Sequence, residues 1–487
     1  ASGGGWTLSA DQHTATGPAA SFSQIAVTGD AGVYNDHVAI NSAKAPMTIN
    51  TGAGDDVFGF NAPAITAPLT LTNPLSGGAD GDAVNFVTGG VAGTFATGQR
   101  GRESYQATGA GLINITSVKP NSTDALWGLS IAASTLNLDL NSLYTTPTPL
   151  ATTLSVVGAN VQIATTNIPT RYIPNGSIAS LKVDGASGGN ALTIDYAGGI
   201  PYGAGVTYSP TAAAGGASNS LTLQNGSFSQ EAYLASGAGK GSIIFPNRQV
   251  NGATIGNQID FENLSPIIDT VTVTAGFTFT APVGGQTVQV VDGPVVSGVQ
   301  TTQINDGGTN HFEQISFANK TTAAINTGSS IDFVTVNLTA PAAGLTGLSV
   351  ATGDSDDGVT VSALPAGVAL ADDAGAGASN LITLGNGVLT GIQGAVAVKS
   401  TGGASAVRLD DTADATGRNF TITPSQVTGA PLGSPFDYSG GGITGIQMLG
   451  GSGNDRFTLS DFGSPTTAIQ YSIEGGAGVD TLDVNSS

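Results

Sequence analysis

The sequence predicts an all-β protein, a right-handed parallel β-helix (β-solenoid) made of coils of about 25 residues. Three observations predict this fold. Apolar and polar residues alternate in short runs, for example in residues 135–140, 269–275 and 334–340, and this period of two is typical of strands. Glycine-rich turns that carry an acidic residue recur at a nearly constant spacing. No stretch has a convincing helical pattern.

The acidic turns set the length of the predicted coil. In a parallel β-helix, equivalent turns of successive coils lie above one another about 4.8 Å apart. Asp455 and Asp480 therefore become neighbours, because their positions in the segments GGSGNDRFTL and GGAGVDTLDV differ by one predicted coil length. Two further series keep a similar spacing: Asp56 and Asp82, which are 26 apart, and Asp332, Asp356 and Asn380, which are 24 apart.

The repeat length favours a β-helix over other all-β architectures. A propeller blade needs roughly 40 residues or more, and a β-sandwich needs about 100. A coil of about 25 residues instead accommodates three short strands and three turns. Tandem β-sandwich modules are the alternative fold, because irregular stretches such as 144–153 and 197–216 could belong to an inserted β-domain.

A longer internal repeat divides the chain into two related modules. Residues 40–61 align without gaps with the segment that starts near Ile315, at an offset of about 276 residues, so that Lys44 corresponds to Lys320. Repeats of this kind are typical of solenoids and arrays. We predict a first β-solenoid module over residues 1–264 and a second, related one over 265–487, and we expect the chain to be a piece of a longer protein.

Composition excludes several classes of function. The 487 residues include 72 glycines and no cysteine, and the formal net charge is -21. This acidity argues against binding to nucleic acid or to anionic membranes, and no stretch approaches the roughly 20 apolar residues of a membrane span. The lack of cysteine fits an exposed bacterial surface, where a large fold needs no disulfide. We expect an extracellular, cell-surface protein that does not insert into the membrane.

The acidic turns are also the candidate metal sites. Two carboxylates about 5 Å apart repel by about 3 kcal/mol at an effective dielectric of 20, so they need water, a shared proton or a bound cation between them. Calcium fits the last case, because it takes six to eight oxygen ligands, although solvated turns are the alternative. The predicted calcium ligands are Asp55, Asp56, Asp80, Asp82, Asp332, Asp354, Asp356, Asn454, Asp455 and Asp480.

Two of these turns, GGSGNDRFT and GGAGVDTLD, resemble the glycine-rich nonapeptide of RTX (hemolysin-type) calcium-binding repeats. The resemblance implies calcium at isolated turns. RTX repeats follow one another every nine residues, whereas these recur at intervals of about 25, so the ligand geometry of the family does not transfer intact. The matching positions are Gly450, Gly451, Gly453, Asp455 and Phe457 in the first segment, and Gly475, Gly476, Gly478, Asp480 and Leu482 in the second.

At a wider scale the chain resembles the giant Gly/Thr/Asp-rich repeat proteins of bacterial cell surfaces. The segments that carry this resemblance are IDFENLSPIIDTVTV and, some fifty residues on, ISFANKTTAAINTGSSIDFVTVN. It implies an extracellular structural protein that forms part of a surface layer, a filament or an adhesive stalk. A calcium-dependent carbohydrate-binding or cell-binding adhesin module is the alternative.

An enzymatic role is the weakest interpretation, and we expect none. Polysaccharide lyases and hydrolases on parallel β-helices need clustered acids together with basic groups. Adjacent acids such as Asp372-Asp373 and Asp410-Asp411 would point to opposite faces of a strand, and only the second pair has a nearby base, Arg408. The expected partners are other copies of the chain, end to end or side by side, or other surface proteins, because uncapped coils expose unpaired backbone groups. Polysaccharide is the alternative partner.

Overall fold

The structure, a computed structural model, is all-β. It describes residues 150–485 except 167, 186–188, 212–217, 251–252, 309–310, 461 and 463–468, and before residue 150 it describes the strands given below and residues 43–44, 46 and 64–68. These described residues contain no α-helix, and Asn175–Ser177 form a short 3₁₀ helix. None of them belongs to a helix with the length and apolar character of a membrane span.

The chain divides into two compact units, Ala1–Gly226 and Ser227–Ser487. The module boundary that the internal repeat predicts at residue 264 rests on sequence similarity rather than on contacts, and it stays a prediction. The strands of the first unit are β1 (Thr7–Ser9), β2 (Thr14–Thr16), β3 (Ile25–Thr28), β4 (His37–Ile40), β5 (Met47–Asn50), β6 (Val57–Asn61), β7 (Leu69–Thr72), β8 (Ala83–Val87), β9 (Gly93–Ala96), β10 (Ser104–Ala107), β11 (Ile113–Thr116), β12 (Leu129–Ala132), β13 (Thr135–Asp139), β14 (Leu150–Val157), β15 (Asn160–Thr165), β16 (Ile168–Pro174), β17 (Ser180–Gly185), β18 (Asn190–Asp195), β19 (Gly205–Pro210) and β20 (Ser220–Gln224).

Parallel pairing dominates the sheets of the first unit. One sheet has the order β1-β2-β4-β6-β8 and a second has the order β3-β5-β7-β11-β10-β9. Further along, β13, β17 and β19 pair in parallel, as do β14, β18 and β20. From β3 to β8, and again from β17 to β20, successive strands of the chain alternate between two sheets. We call each repeat of two such strands with their turns a coil.

The second unit by itself shows the same alternation over a longer series. Its strands are β21 (Ser227–Gly237), β22 (Lys240–Val250), β23 (Ala253–Phe261), β24 (Ile267–Asp269), β25 (Thr272–Thr280), β26 (Thr287–Val296), β27 (Val299–Asp306), β28 (Ile315–Phe317), β29 (Thr322–Asn326), β30 (Phe333–Asn337), β31 (Gly347–Ala351), β32 (Gly358–Ala363), β33 (Ala369–Asp373), β34 (Asn380–Leu384), β35 (Val396–Lys399), β36 (Ser405–Asp410), β37 (Asn419–Ile422), β38 (Gln426–Thr428), β39 (Phe436–Asp437), β40 (Ile443–Leu449), β41 (Arg456–Leu459), β42 (Gln470–Glu474) and β43 (Thr481–Val484).

From β29 to β36 the odd-numbered strands lie in one sheet and the even-numbered strands in the other. The pairs are parallel, which differs from the antiparallel pairing expected of tandem β-sandwiches. Antiparallel excursions interrupt the series at β21-β22-β23, at β26-β27-β28 and at β37-β38-β39. The all-β class and the repeat-like stacking of strands are confirmed.

The predicted period is confirmed in the register of these pairs. Phe333 lies beside Gly358, and Arg456 lies beside Thr481, so in both pairs the partner is one predicted coil length further along the chain. Within the described part of this series each coil contributes one strand to each sheet, so the expectation of three strands per coil is wrong here. Residues 338–346, where a third strand would lie, form none. Pro341 has no backbone N–H to donate to a neighbouring strand, and Gly344 has a φ of 86°, which is incompatible with an extended strand.

The two segments of the internal repeat form the same strands. Val57–Asn61 corresponds residue for residue to Phe333–Asn337, and each of these strands pairs in parallel with the strand of the next coil. Similar sequence therefore specifies similar local topology in both places, which supports the duplication on which the predicted modules rest.

Stacked apolar columns form the core of the second unit. One column runs through Val336, Val361, Leu384, Leu409 and Met448, all of which are buried, across successive strands of one sheet. The register shifts by one residue between Val336 and Asn337 without breaking the series. Alternate residues of a strand point to opposite faces. The buried column therefore also determines which residues at the start of each strand face inward and which face solvent.

Candidate functional site in the stacked acidic turns

Two glycines of the turns, Gly353 and Gly375, lie so close to the coil beneath that no side chain fits. A Cβ atom on Gly353 would lie 1.5 Å from the carbonyl oxygen of Gly328, and one on Gly375 would lie 1.7 Å from that of Gly353. Both glycines also have positive φ, 91° and 65°. The oxygen of Gly353 accepts the backbone N–H of Ala376 at 2.8 Å, so the close approach produces a hydrogen bond between coils. These turns need glycine for contact as well as for conformation.

A ladder of Asp and Asn side chains connects the coils directly beside the glycine column. Asp332 Oδ1 accepts the backbone N–H of Gln286 at 2.6 Å, Asp357 Oδ1 accepts that of Asp332 at 2.8 Å, and Asn380 Oδ1 accepts that of Asp357 at 2.9 Å. Each ladder residue precedes or begins a strand and is buried. Its side chain therefore satisfies a buried backbone donor of the neighbouring coil.

A second bond runs between the exposed residues that precede the ladder positions. Asp356 Oδ1 accepts the backbone N–H of Ser379 at 2.8 Å, while Asn380 Oδ1 accepts that of Asp357. Two adjacent residues of one coil thus exchange hydrogen bonds with two adjacent residues of the next. We call this four-residue arrangement an Asx clamp. It fixes the vertical register of the turn, because slipping the register by one residue would break both bonds.

The same clamp joins the two glycine-rich segments near residue 480. Asn454 Oδ1 accepts the backbone N–H of Val479 at 2.8 Å, and Asp480 Oδ1 accepts that of Asp455 at 2.9 Å. The strands that follow pair in parallel, Arg456 with Thr481. The prediction that Asp455 and Asp480 are neighbours on adjacent coils is confirmed.

Backbone donors offset the repulsion expected between these two carboxylates. Asp455 is 2% exposed, and its carboxylate accepts the backbone N–H of Arg418 at 2.7 Å and that of Gly451 at 3.1 Å. Asp480 is exposed to solvent and accepts a bond from Asp455 itself. Backbone N–H groups that the spacing of the acids does not reveal therefore surround this stack and offset the repulsion between the two carboxylates.

The structure changes the assignment of one predicted ligand. The spacing of the turns places Asp356 in line with Asp332 and Asn380, but the ladder position belongs to Asp357, and Asp356 is exposed. The reason is strand parity: Asp357 shares the inward face with Val359, as Asp332 shares it with Val334. A period of about 25 residues cannot distinguish adjacent acids, whereas the period of two can.

The remaining predicted ligands do not converge on one point in the described residues. Asp354 is exposed on the turn before Asp356, and Asn454 belongs to the second clamp. In the part of the chain that the structure describes, no three His, Asp or Glu side chains are grouped as ligands of a metal ion. Asp55, Asp56, Asp80 and Asp82 lie outside the described residues.

Buried carboxyl groups that spacing alone does not single out lie near the first ladder. Asp372 is 3% exposed, and neither of its carboxyl oxygens has a hydrogen-bond partner. Burial raises the pKa of Asp372 to about 8, and the nearby charges of Asp373 and Asp357 add to the effect. Burial also raises the pKa values of Asp332 and Asp357. The signal in the sequence is again parity, because Asp372 falls on the buried face of its strand with Leu370.

The adjacent acids do not form a carboxylate pair suited to acid–base catalysis. In the described pairs one member is buried and the other faces outward, as the buried Asp411 and the more exposed Asp410 illustrate. Arg408 Nη2 lies 3.7 Å from Asp410 Oδ2 at the surface, so it serves as an ion-pair partner. The absence of a catalytic role stays a prediction.

Fold and turns together define the class: an all-β repeat protein whose parallel strands are stacked through glycine columns and Asx clamps. No protein-family model matches the sequence, and a search among curated proteins finds no match.

Proposed function

We propose that the protein is an extracellular structural module of a bacterial surface layer, filament or adhesive stalk, built as a right-handed parallel β-helix. The observation that carries this proposal is the use of the acidic turns. Their Asp and Asn side chains bond each coil to the next instead of gathering in a groove. Such bonds add to the backbone ladder and resist shear between coils, a property suited to a load-bearing rod.

Self-association follows from the apolar side chains exposed at β43. Leu482 pairs in register with Phe457 and Val484 pairs with Leu459, so they occupy positions that point inward one coil earlier. Phe457 is 1% exposed, whereas Leu482 is 54% and Val484 69% exposed. A further coil laid on β43 would cover both residues and would pair with the free edge of the strand. We propose that, between chains of residues 1–487, a second copy supplies such a coil.

Replacing Leu482 by lysine is expected to weaken self-association at least about tenfold, because burial of a leucine contributes about 1.5–3 kcal/mol. The measurement is the molar mass by light scattering over a range of concentrations, with electron microscopy to look for rods. Val283→Lys is the matched control, since Val283 is fully exposed on a turn away from β43. Equal assembly of the wild type and Leu482→Lys would rule out this edge as the contact.

Calcium binding belongs to the same proposal, at the turn acids that solvent reaches. Asp354, Asp356 and Asp480 are exposed, and backbone carbonyls of the glycine turns lie beside them. Carboxylate and carbonyl oxygens are the ligands that calcium prefers. The buried ladder acids Asp332, Asp357 and Asp455 are less suited, because each is at most 4% exposed and a hydrated ion does not reach it.

The combined variant Asp354→Asn, Asp356→Asn and Asp480→Asn is expected to lose the rise in Tm that millimolar calcium gives the wild type. Asn keeps the Oδ1 acceptor of the clamps, as Asn380 does naturally, so the change removes charge and preserves the stacking. Thermal unfolding with calcium and with chelator measures the effect, and Asp184→Asn, on a strand, is the control. An undiminished rise in Tm in the triple variant would exclude these turns as the sites.

A further inference from the structure

A lysine and two carboxyl groups are enclosed together in the core of the second unit. The side chains of Lys320, Glu231 and Asp269 are each 0% exposed. Lys320 Nζ lies 2.5 Å from Glu231 Oε2 and 3.0 Å from Asp269 Oδ1. Glu231 lies on β21, Asp269 ends β24, and Lys320 precedes β29, so three separate elements bring the groups together. The stacked acidic turns do not involve them.

The surroundings are apolar and supply few further polar partners. Lys320 Nζ donates to the backbone oxygen of Val271 at 3.0 Å and lies 5.9 Å from the centre of the Phe277 ring. The backbone N–H of Val271 donates to Asp269 Oδ1 at 3.0 Å. Val271, Val273 and Phe277 are themselves buried. A water-excluded site strengthens each electrostatic contact and disfavours separated charges.

Protonation of Glu231 resolves the excess negative charge of the cluster. Burial raises the pKa of Glu231 well above its ordinary value; the charge of Asp269 adds to this rise and that of Lys320 opposes it. A protonated Glu231 can donate a hydrogen bond to the Asp269 side chain. That bond supplies hydrogen-bond partners for Glu231 Oε1 and Asp269 Oδ2. Both oxygens lack a partner when the two carboxyl groups are ionised. The cluster is thus an amine, a carboxyl group and a proton carrier in mutual contact.

We propose that Lys320 Nζ and Asp269 Cγ join in an intramolecular isopeptide bond, with Glu231 as the proton-transferring catalytic residue. Nζ lies 3.0 Å from the Oδ1 atom that is bonded to Cγ, so the fold holds the amine against the carboxyl group that it would attack. The reaction needs no oxidant, metal or further substrate, because an amine and a carboxylic acid condense to an amide and water.

The condensation of Lys320 with Asp269 proceeds in steps that conserve atoms and charge. A proton passes from the Lys320 ammonium to the Asp269 carboxylate, which gives the neutral amine and the neutral acid that the condensation needs. The Nζ lone pair attacks Cγ, and the carbonyl electrons move to Oδ1, where the N–H of Val271 stabilises the developing charge. Glu231 gives the proton of its carboxyl group to the departing Oδ2 while it accepts a proton from Nζ at Oε2. The Cγ–Oδ2 bond breaks, water leaves, and Glu231 is protonated as at the start.

Exposed pairs in the same unit show what enclosure contributes. Lys399 Nζ lies 3.0 Å from Asp373 Oδ2, a separation equal to that of Lys320 and Asp269, but the Lys399 side chain is 50% exposed. Water keeps such a pair ionised, and an ammonium has no lone pair with which to attack. Lys44, which aligns with Lys320 in the internal repeat, is also exposed. We therefore expect the bond at Lys320 and not at Lys399 or Lys44.

The wild-type protein alone provides the first test. Its intact mass after denaturation is expected to be lower than the sequence mass by one water molecule. Trypsin cuts after lysine only when the amine is free, so digestion should yield one peptide that spans residues 249–399, again lower by one water, instead of 249–320 and 321–399. Chymotrypsin should then release a branched peptide that joins Asp269 to Lys320. Full intact mass with normal cleavage after Lys320 would overturn the proposal.

Two substitutions test the roles of the residues. Glu231→Gln keeps the shape but removes the proton carrier, so the folded variant should show the full mass and normal cleavage after Lys320. Lys399→Arg, the matched control at an exposed pair, should keep the mass deficit. Cooperative thermal unfolding confirms that each variant is folded. A mass deficit of one water in Glu231→Gln would overturn the role of Glu231, and a deficit lost in Lys399→Arg would overturn the choice of Lys320.

Discussion

Asp372→Val is expected to raise the free energy of unfolding by about 5 kcal/mol at pH 8, because it removes a carboxyl group whose pKa is about 8 in the folded protein, well above its ordinary value. The residue lies in a column that passes from Ile325 and Val350 through Asp372 to Val398, and the other three are buried and apolar. Valine would continue this column on both sides and leave no unpartnered oxygen in the core.

The gain should depend on pH in a defined direction. The unfolded chain ionises Asp372 near pH 4, whereas the folded chain holds the proton up to about pH 8, so the folded state binds more protons in between. The wild type therefore loses stability as pH rises from about 4 to about 8, and the loss is absent below that range. The stabilisation by Asp372→Val should be largest at pH 8 and should shrink towards pH 4.

Denaturant unfolding at pH 4, 6 and 8 measures the effect, and the neighbouring acid provides a control of opposite sign. Hydrogen bonds from Thr401 and the ion pair with Lys399 outweigh burial and lower the pKa of Asp373 to about 2. Its ionised form therefore stabilises the fold, and this contribution is lost as pH falls through about 4 towards 2. Asp373→Asn should accordingly destabilise at pH 8. A neutral or destabilising Asp372→Val at pH 8 would contradict the assignment of an unsatisfied buried acid.

Gly353→Ala is expected to cost about 4 kcal/mol or more and to disrupt the stack locally, because the new methyl group would overlap a backbone carbonyl of the coil beneath. The overlap cannot be relieved by a side-chain rotation, since the Gly328 oxygen that the Cβ atom would meet at 1.5 Å belongs to the main chain. Moving the two coils apart would also lengthen the hydrogen bond from the Thr327 backbone N–H to the Ala351 oxygen, which is 3.1 Å long.

Gly367→Ala separates this packing effect from backbone strain. Gly367 has a φ of 90°, against 91° for Gly353, but a Cβ atom there would meet no atom within 4 Å. The control should therefore cost only about 1–2 kcal/mol, the penalty of a left-handed residue with a side chain. Thermal and denaturant unfolding of both variants gives the comparison. Equal destabilisation by the two substitutions would show that φ alone explains the need for glycine at Gly353.

Much of the candidate site could be predicted from the sequence because its signals are local and periodic. The spacing of Asp455 and Asp480 predicts that they are neighbours, and the hydrogen bond between them bears this out. The spacing alone selects Asp356 where the ladder uses Asp357, although the alternation of strand residues distinguishes the two. The hydrogen bonds of these carboxylates could not be predicted from the sequence, because their donors are backbone N–H groups of another coil.

The sequence by itself determined the strands and the glycine turns of this protein, because both depend on nearby residues: side-chain alternation selects a face, and glycine permits a positive φ. Only the tertiary structure decided that Leu409 stacks on Met448 across an antiparallel excursion, and that Glu231 and Asp269 meet Lys320 in the core. Those contacts join residues far apart in the chain, and burial there sets protonation and reactivity. Which coil buries a given side chain depends on how the whole chain packs, and no local sequence pattern specifies it.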